Sequence, residues 1–204
     1  MTAEEIAPGL WRWTADPRPG DPEVACAYLE GRDAVVLIDP QVPAAGRERE
    51  RFWRALDRDV ARLGLPVAVL LTLARHVRSS AEVRDRYADR PGVSVYAPAG
   101  AAERLSGGVL PVRPGDPLPG AVEALPAGEQ ELAFWIPEHR ALVVGDAIVG
   151  AGGGALRRGT RGGGASPAPA ELARLLDLPV ERVLTAHGPP VLAGARDALA
   201  RALG

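Results

Sequence analysis

Seven consecutive residues, PVAVLLT (66–72), carry no charge and show no polar alternation. A strand with one face in water alternates polar and apolar side chains, so an unbroken apolar run of this length reads as a strand covered on both faces. Just before it, in RERERFWRALDRDVARL (47–63), Phe52, Leu56, Val60 and Leu63 recur three or four residues apart. That spacing puts one apolar stripe against a core and leaves the arginines and acids in water, which predicts an amphipathic helix.

The rest of the chain supplies partners for such a buried strand. LWRW (10–13) and ACAYLEGRDAVVLIDP (25–40) read as short strands of an antiparallel meander, the second run broken by the turn EGRD and stopped by Asp39 and Pro40. After the apolar run, SSAEVRDRYA (79–88) opens a helix in which Ser79 and Glu82 have capping-box spacing. GVSVYAP (92–98) is another strand, and QELAFWIP and RALVVGDAI form a hairpin around the turn EHR. PAELARLLDL reads as a helix, VERVLTA as a strand, HGPP as a bend and VLAGARDALARALG as a closing helix. Residues 150–169, GAGGGALRRGTRGGGASPAP, have no apolar period and too much glycine to fold alone, which predicts a flexible loop inside a single domain spanning 1–204.

Composition narrows the function classes. A chain of 204 residues with 47% hydrophobic and 25% charged residues can bury one sizeable core, and a formal net charge of -2 favours neither nucleic acid nor an anionic membrane as a partner. All 24 cationic side chains are arginine, a coding bias that requires each arginine to be argued on its own. The single Cys26 reads as a small core residue in a reducing compartment. No secretory pattern opens the chain and no run approaches the roughly 20 apolar residues of a membrane span, so a soluble cytoplasmic protein is expected. Trp11, Trp13, Trp53 and Trp135 read as core and His139 as a solvated turn residue. The glycine runs lack phosphate-loop spacing, and there is no Gly-x-Ser-x-Gly elbow.

Four strand-end signals remain: LIDP (37–40), LLT (70–72) followed by a bend, HRALVVGDA (139–147) and VLTAHGPP (183–190). In order and approximate interval they resemble the metallo-beta-lactamase fold superfamily over nearly the whole chain. The resemblance implies an α/β (α+β) fold, an αββα four-layer sandwich with a metal-dependent hydrolytic site at one edge. In that superfamily the strand after the first helix ends in Thr-His-x-His-x-Asp-His, whose imidazoles and carboxylate hold zinc and activate a bound water. Here the segment reads Thr72, Leu73, Ala74, Arg75, His76, Val77, Arg78. Without a gap, Leu73, Arg75 and Arg78 stand at the histidine positions and Val77 at the aspartate position, while His76 falls on a spacer. The next family histidine aligns with Glu129, with Glu131 nearby. Asp146 matches the metal-bridging aspartate, His187 the last histidine ligand, and Asp39 a structural or supporting group.

These residues leave three readings. Arg75 or Arg78 takes the place of the metal as the counter-charge of Asp146, giving a degenerate centre that lacks zinc hydrolase activity and expects no cofactor. Arg75 and Arg78, with the following helix start and Asp39 close by, bind a small anion. Alternatively, Asp146, His187 and either His76 or Glu129 hold one zinc ion for a hydrolase with an atypical site.

Overall fold

The computed structural model describes residues 1–16, 23–90, 92–105, 107–159 and 168–204. In the first half, β1 (Thr2–Ala7), β2 (Leu10–Ala15), β3 (Val24–Glu30) and β4 (Val35–Ile38) form the antiparallel meander that the sequence predicts. Helix α1 (Gly46–Leu63) then carries the chain back, so that β5 (Val67–Leu70) lies parallel to β4. Phe52, Trp53, Leu56 and Val60 are its buried stripe, and Gly64, at φ 67°, ends it by donating its N–H to Val60 O. Helix α2 (Ser80–Arg86) leads to β6 (Ser94–Ala97), and β7 (Val109–Pro111) completes a seven-stranded sheet in chain order.

The second half builds a five-stranded sheet from β8 (Pro117–Leu118), β9 (Val122–Gly128), β10 (Glu131–Ile136) and β11 (Ala141–Val144), joined later by β14. Strands β10 and β11 form the expected hairpin, with Phe134 opposite Val143. Strand β9 lies within the proline-rich stretch. Its Pro126 sits beyond the reach of β8, which pairs only with Val122 and Glu123, so one side of β9 has no ladder to lose there. A separate hairpin, β12 (Ile148–Gly152) with β13 (Ala155–Arg158), occupies the first half of the segment expected to be a loop. Its turn is Gly153–Gly154, both at positive φ, so glycine here serves a tight reversal rather than a loose tether. The remainder of that expected loop, 160–167, lies outside the described residues. Helix α3 (Pro169–Leu172) continues only as a 3-10 turn over Ala173–Asp177; β14 (Arg182–Thr185) pairs parallel to β11, and α4 (Ala195–Leu203) closes the chain.

Three apolar clusters define four layers. One packs α1 and α2 on the outer face of the first sheet through Trp13, Phe52, Leu56, Val69 and Val83. A second fills the space between the sheets with Leu29, Ile38 and Leu70 from one side and Phe134, Val143 and Leu184 from the other. A third seats α3 and α4 on the outer face of the second sheet through Trp135, Leu142, Leu172 and Leu199. This is an αββα sandwich. Trp13, Trp53 and Trp135 are core, while Trp11 is half-buried.

Two backbone bonds stitch the sheets at one edge: Leu132 N donates to Thr72 O at 2.7 Å, and Ala25 N to Ala186 O at 2.9 Å. The carboxyl ends of β4, β5, β11 and β14 open onto the same edge, which is where ligand sites form in layered α/β folds. Phe134, fully buried between the sheets, tests the sandwich core. Phe134→Ala should lower the unfolding free energy by about 3–5 kcal/mol, read from urea denaturation, and a loss under 1 kcal/mol would contradict the packing described.

Candidate functional site

Every polar group at this edge is delivered by the end of a strand. Asp39 follows β4 in a left-handed conformation (φ 48°), which an aspartate tolerates better than most residues. After β5, Thr72 remains extended and Ala74–Val77 wind into a 3-10 turn. Thr72 and His76, four residues apart, thereby come together: Thr72 Oγ1 lies 3.1 Å from His76 Nδ1. Thr72 donates its backbone N–H to Asp39 Oδ1 at 2.9 Å and its hydroxyl to Oδ2 at 2.5 Å, and His76 Nδ1 lies 2.8 Å from Oδ2. Asp39 thus fixes the His76 ring and aims its Nε2 at the second sheet, a supporting role typical of carboxylates behind a functional imidazole.

Asp146, just after β11, receives that ring. His76 Nε2 lies 3.3 Å from Asp146 Oδ1, and His187 Nε2, from the turn after β14, lies 3.0 Å from the same oxygen. Oδ1 is buried and faces both ring nitrogens. The other oxygen is taken by Arg75, whose Nε donates to Oδ2 at 2.9 Å and whose Nη2 donates to it as well. The Arg75 side chain is 40% exposed and approaches from solvent, whereas that of Asp146 is 12% exposed. His187 is held through its backbone: Gly150 N donates to its carbonyl, and Arg12 Nη2 and Thr185 Oγ1 donate to Gly188 O.

The candidate residues therefore separate. His76, Asp146 and His187 converge, with one donor atom from each lying within 4.8 Å of the others. Glu129 does not join them: it is exposed in the turn between β9 and β10. Arg75 and Arg78 hold different partners and do not act as one pair. Arg78, at φ 36°, donates from Nη1 to Ala25 O and Asp39 O, both at 2.9 Å, and ties β3 to β4. Ser79 and Glu82 form no capping box, since Ser79 Oγ accepts from Val42 N at 3.0 Å and Glu82 pairs with Arg49. Leu73, at the family's first histidine position, is buried in an isolated bridge with Glu131.

Glu131 is the functional group that reading the sequence undervalued. At the start of β10 it is buried, and its Oε1 accepts the Ala147 N–H at 2.7 Å. A Cβ at Gly145 would come within 2.6 Å of Thr72 Oγ1, 2.7 Å of Leu73 Cδ2 and 2.8 Å of Glu131 Oε1. The glycine before Asp146 is thus what lets the two sheet ends close over this carboxyl. The available signal was the alternation in EQELAFW, which turns Glu131 inward if Glu129 faces out only when the turn bulge is recognised.

Electrostatics follow from this arrangement. Burial alone would raise Asp146, but His187, His76 and Arg75 outweigh it and hold the carboxyl well below the usual range. Asp39 is likewise lowered, the cost of burial being overcome by the charge and hydrogen bond of His76, with Arg78 and Thr72 adding to them. His76 moves upward despite burial because Asp39 and Asp146 flank it. Burial pushes Glu131 up to about 7, aided by the negative charge of Asp146 and opposed by the Ala147 N–H. Cys26 is raised by burial to about 11, so it stays a thiol.

The protein is thus a mixed α/β sandwich whose edge carries a cluster of two imidazoles and a carboxylate. No family model matches this chain and no curated protein matches it. Among solved structures, a beta-lactamase domain protein from Burkholderia ambifaria superposes with TM-score 0.68 at 17% identity, covering 98% of this chain and 71% of that one. A metallo-beta-lactamase from Pontibacter korlensis gives TM-score 0.68 at 17% identity, covering 99% and 96%. A protein crystallised in a di-iron-bound form gives TM-score 0.60 at 26% identity, covering 87% and 94%. This chain has the metallo-beta-lactamase fold.

Among the described residues, one group of donors could hold a metal ion: His76, Asp146 and His187. Tetrahedral zinc with metal–nitrogen bonds of 2.0–2.1 Å separates its ligands by roughly 3.3 Å, close to the 3.3 and 3.0 Å found around Asp146 Oδ1.

The titrations have opposite signs. Asp39 and Asp146, lowered on folding, contribute stability that is present above the ordinary carboxyl pKa and lost as pH falls through their folded values. Glu131 and His76, raised on folding, contribute stability that is present below their ordinary values and lost as pH rises through the folded ones. Between pH 5 and 7.5 the first gain is complete and the Glu131 loss is in progress, so stability should fall across that range. Glu131→Gln should remove about 2–3 kcal/mol of that pH-dependent fall, and parallel urea-melt profiles for the two proteins would show that Glu131 does not titrate there.

Proposed function

We propose that this chain is a metallo-beta-lactamase-fold protein that has lost the two-metal hydrolase chemistry and acts as a non-catalytic or small-anion-binding homologue. The observation that carries the reading is the guanidinium of Arg75 on Asp146 Oδ2. Arginine is permanently charged and only donates hydrogen bonds, so it neutralises the aspartate without offering a lone pair to a metal. A divalent ion on the same carboxylate would lie about 5 Å from the guanidinium, where repulsion at an effective dielectric of about 20 is on the order of several kcal/mol.

The anion-binding part draws on the cavity beside Arg75, about 220 Å³ and lined by Leu73, Arg75, Glu129, Gln130 and Glu131. With Glu131 raised to about 7, one of its two acids is largely neutral on the acid side of neutrality, so a small carboxylate would meet Arg75 against one opposing acid, the exposed Glu129. A cytoplasmic setting belongs to the same proposal. It is supported by the buried free thiol of Cys26, while no helix among the described residues is long and apolar enough to cross a membrane.

One observation favours a second reading, a hydrolase with a single atypical ion. His76 and His187 face the buried Oδ1 of Asp146 at ligand-like separations. An ion there would lower the pKa of a bound water. The two readings part on the metal content of wild-type protein purified without chelator. The first expects well under one equivalent of zinc, no thermal stabilisation on adding zinc, and millimolar or tighter binding of small carboxylates by calorimetry. A stoichiometric, tightly held metal, together with hydrolysis abolished in His187→Ala, would overturn it in favour of the second.

A further inference from the structure

We propose that Arg75 is a resident counter-ion that keeps a divalent metal off Asp146, so that removing its charge turns His76, Asp146 and His187 into a site for one metal ion. The inference deepens the reading above and rests on it, since it takes the native chain to hold no catalytic metal.

Three observations carry it. First, the donors are already arranged. The two Nε2–Oδ1 separations are 3.3 and 3.0 Å, against roughly 3.3 Å between ligands of a tetrahedral zinc. Second, the His76 ring is held by Asp39 through Nδ1, which leaves Nε2 as its outward atom, the orientation that carboxylates impose on metal-bound histidines. Third, Oδ2 of Asp146 carries both bonds from Arg75, while the buried Oδ1 faces the two ring nitrogens. Arg75 therefore takes one oxygen of the carboxylate and leaves the other to the imidazoles.

Arg75 alone stands in the way of charge balance at this point. Arg78 donates to the backbone oxygens of Ala25 and Asp39 rather than to Asp146. Because Arg75 reaches Asp146 from solvent, with 40% of its side chain exposed, its removal leaves the apolar core intact. The buried aspartate then keeps only the two imidazoles and has lost its permanent counter-charge, and a buried carboxylate short of positive charge is costly until another cation takes the place. A single zinc ion bound to Oδ1 and the two imidazoles supplies that charge.

The test titrates zinc, and separately cobalt(II), into chelator-stripped wild type, Arg75→Ala, Arg75→Lys and the double variant Arg75→Ala/His187→Ala. Calorimetry gives affinity and stoichiometry, melting temperature gives stabilisation, and visible absorption reports a four-coordinate cobalt ion. Arg75→Ala should bind one equivalent at least about tenfold more tightly than wild type, and its melting temperature should rise with zinc concentration. Arg75→Lys keeps a cation at Asp146 and should stay near wild type, and the double variant should lose the gain.

Arg75→Gln, neutral but still able to donate to Oδ2, carries the same expectation as Arg75→Ala. Failure of both neutral variants to fold even with zinc present counts against the proposal, because the ion should replace the missing charge. If wild type takes up no zinc and the folded neutral variants take up none either, this inference fails while the proposed function stands. If wild type binds a full equivalent as tightly as Arg75→Ala, the proposed function itself fails.

Discussion

Two carboxylates buried at the seam between the sheets set the terms for everything around them. An ionised carboxylate away from water costs several kcal/mol unless charge and hydrogen bonds compensate it. Asp39 is compensated by Thr72, His76 and the nearby Arg78, and Asp146 by Arg75 with the two imidazoles. Apart from His187, all of these partners come from Thr72–Arg78, a single stretch of seven residues. The same stretch supplies the carbonyl of Thr72 to Leu132, so the charge compensation and the docking of the two sheets are one structural event.

That coupling shows how the metallo-beta-lactamase fold holds its buried acids in this chain. Imidazoles and carboxylates bring lone pairs to a metal, and the metal then neutralises the acids behind it. Guanidinium groups bring protons and permanent charge directly to the acids. Arg75 does this for Asp146 through a side-chain fork. Arg78 does it differently, with its charge near Asp39 and its bonds on two backbone carbonyls, at the cost of an unfavourable backbone conformation of about 1–3 kcal/mol. The fold needs positive charge at this edge, and either a metal or arginine can supply it.

The layers were legible because they depend on periodicity. The stripe Phe52, Leu56, Val60 and the unbroken run before Thr72 define a helix and a doubly covered strand without reference to anything distant. The loop-like glycines were not, since Gly153 and Gly154 look the same in sequence whether they loosen a tether or reverse a hairpin, and only the pairing of Val149 with Arg157 distinguishes the two. His76 was legible as an outsider to the linear motif but not as the residue joining Asp39 to Asp146. A gapless alignment assumes that the segment keeps its path, whereas the 3-10 turn at Ala74 brings a residue four positions along onto the Thr72 side. Glu129 and Glu131 differ because Glu129 lies in the hairpin turn while Glu131 opens β10, a boundary that is set only by the pairing of Glu131 with Gly128.

Glu131 gives the edge its remaining chemical character. Burial is the main reason that Glu131 is raised, and the charge of Asp146 adds to it. Asp146 has Arg75; Glu131 has only the Ala147 N–H, so it is the acid that retains its proton longer. The cavity over Leu73 therefore presents a fixed guanidinium beside a carboxyl that can donate as well as accept.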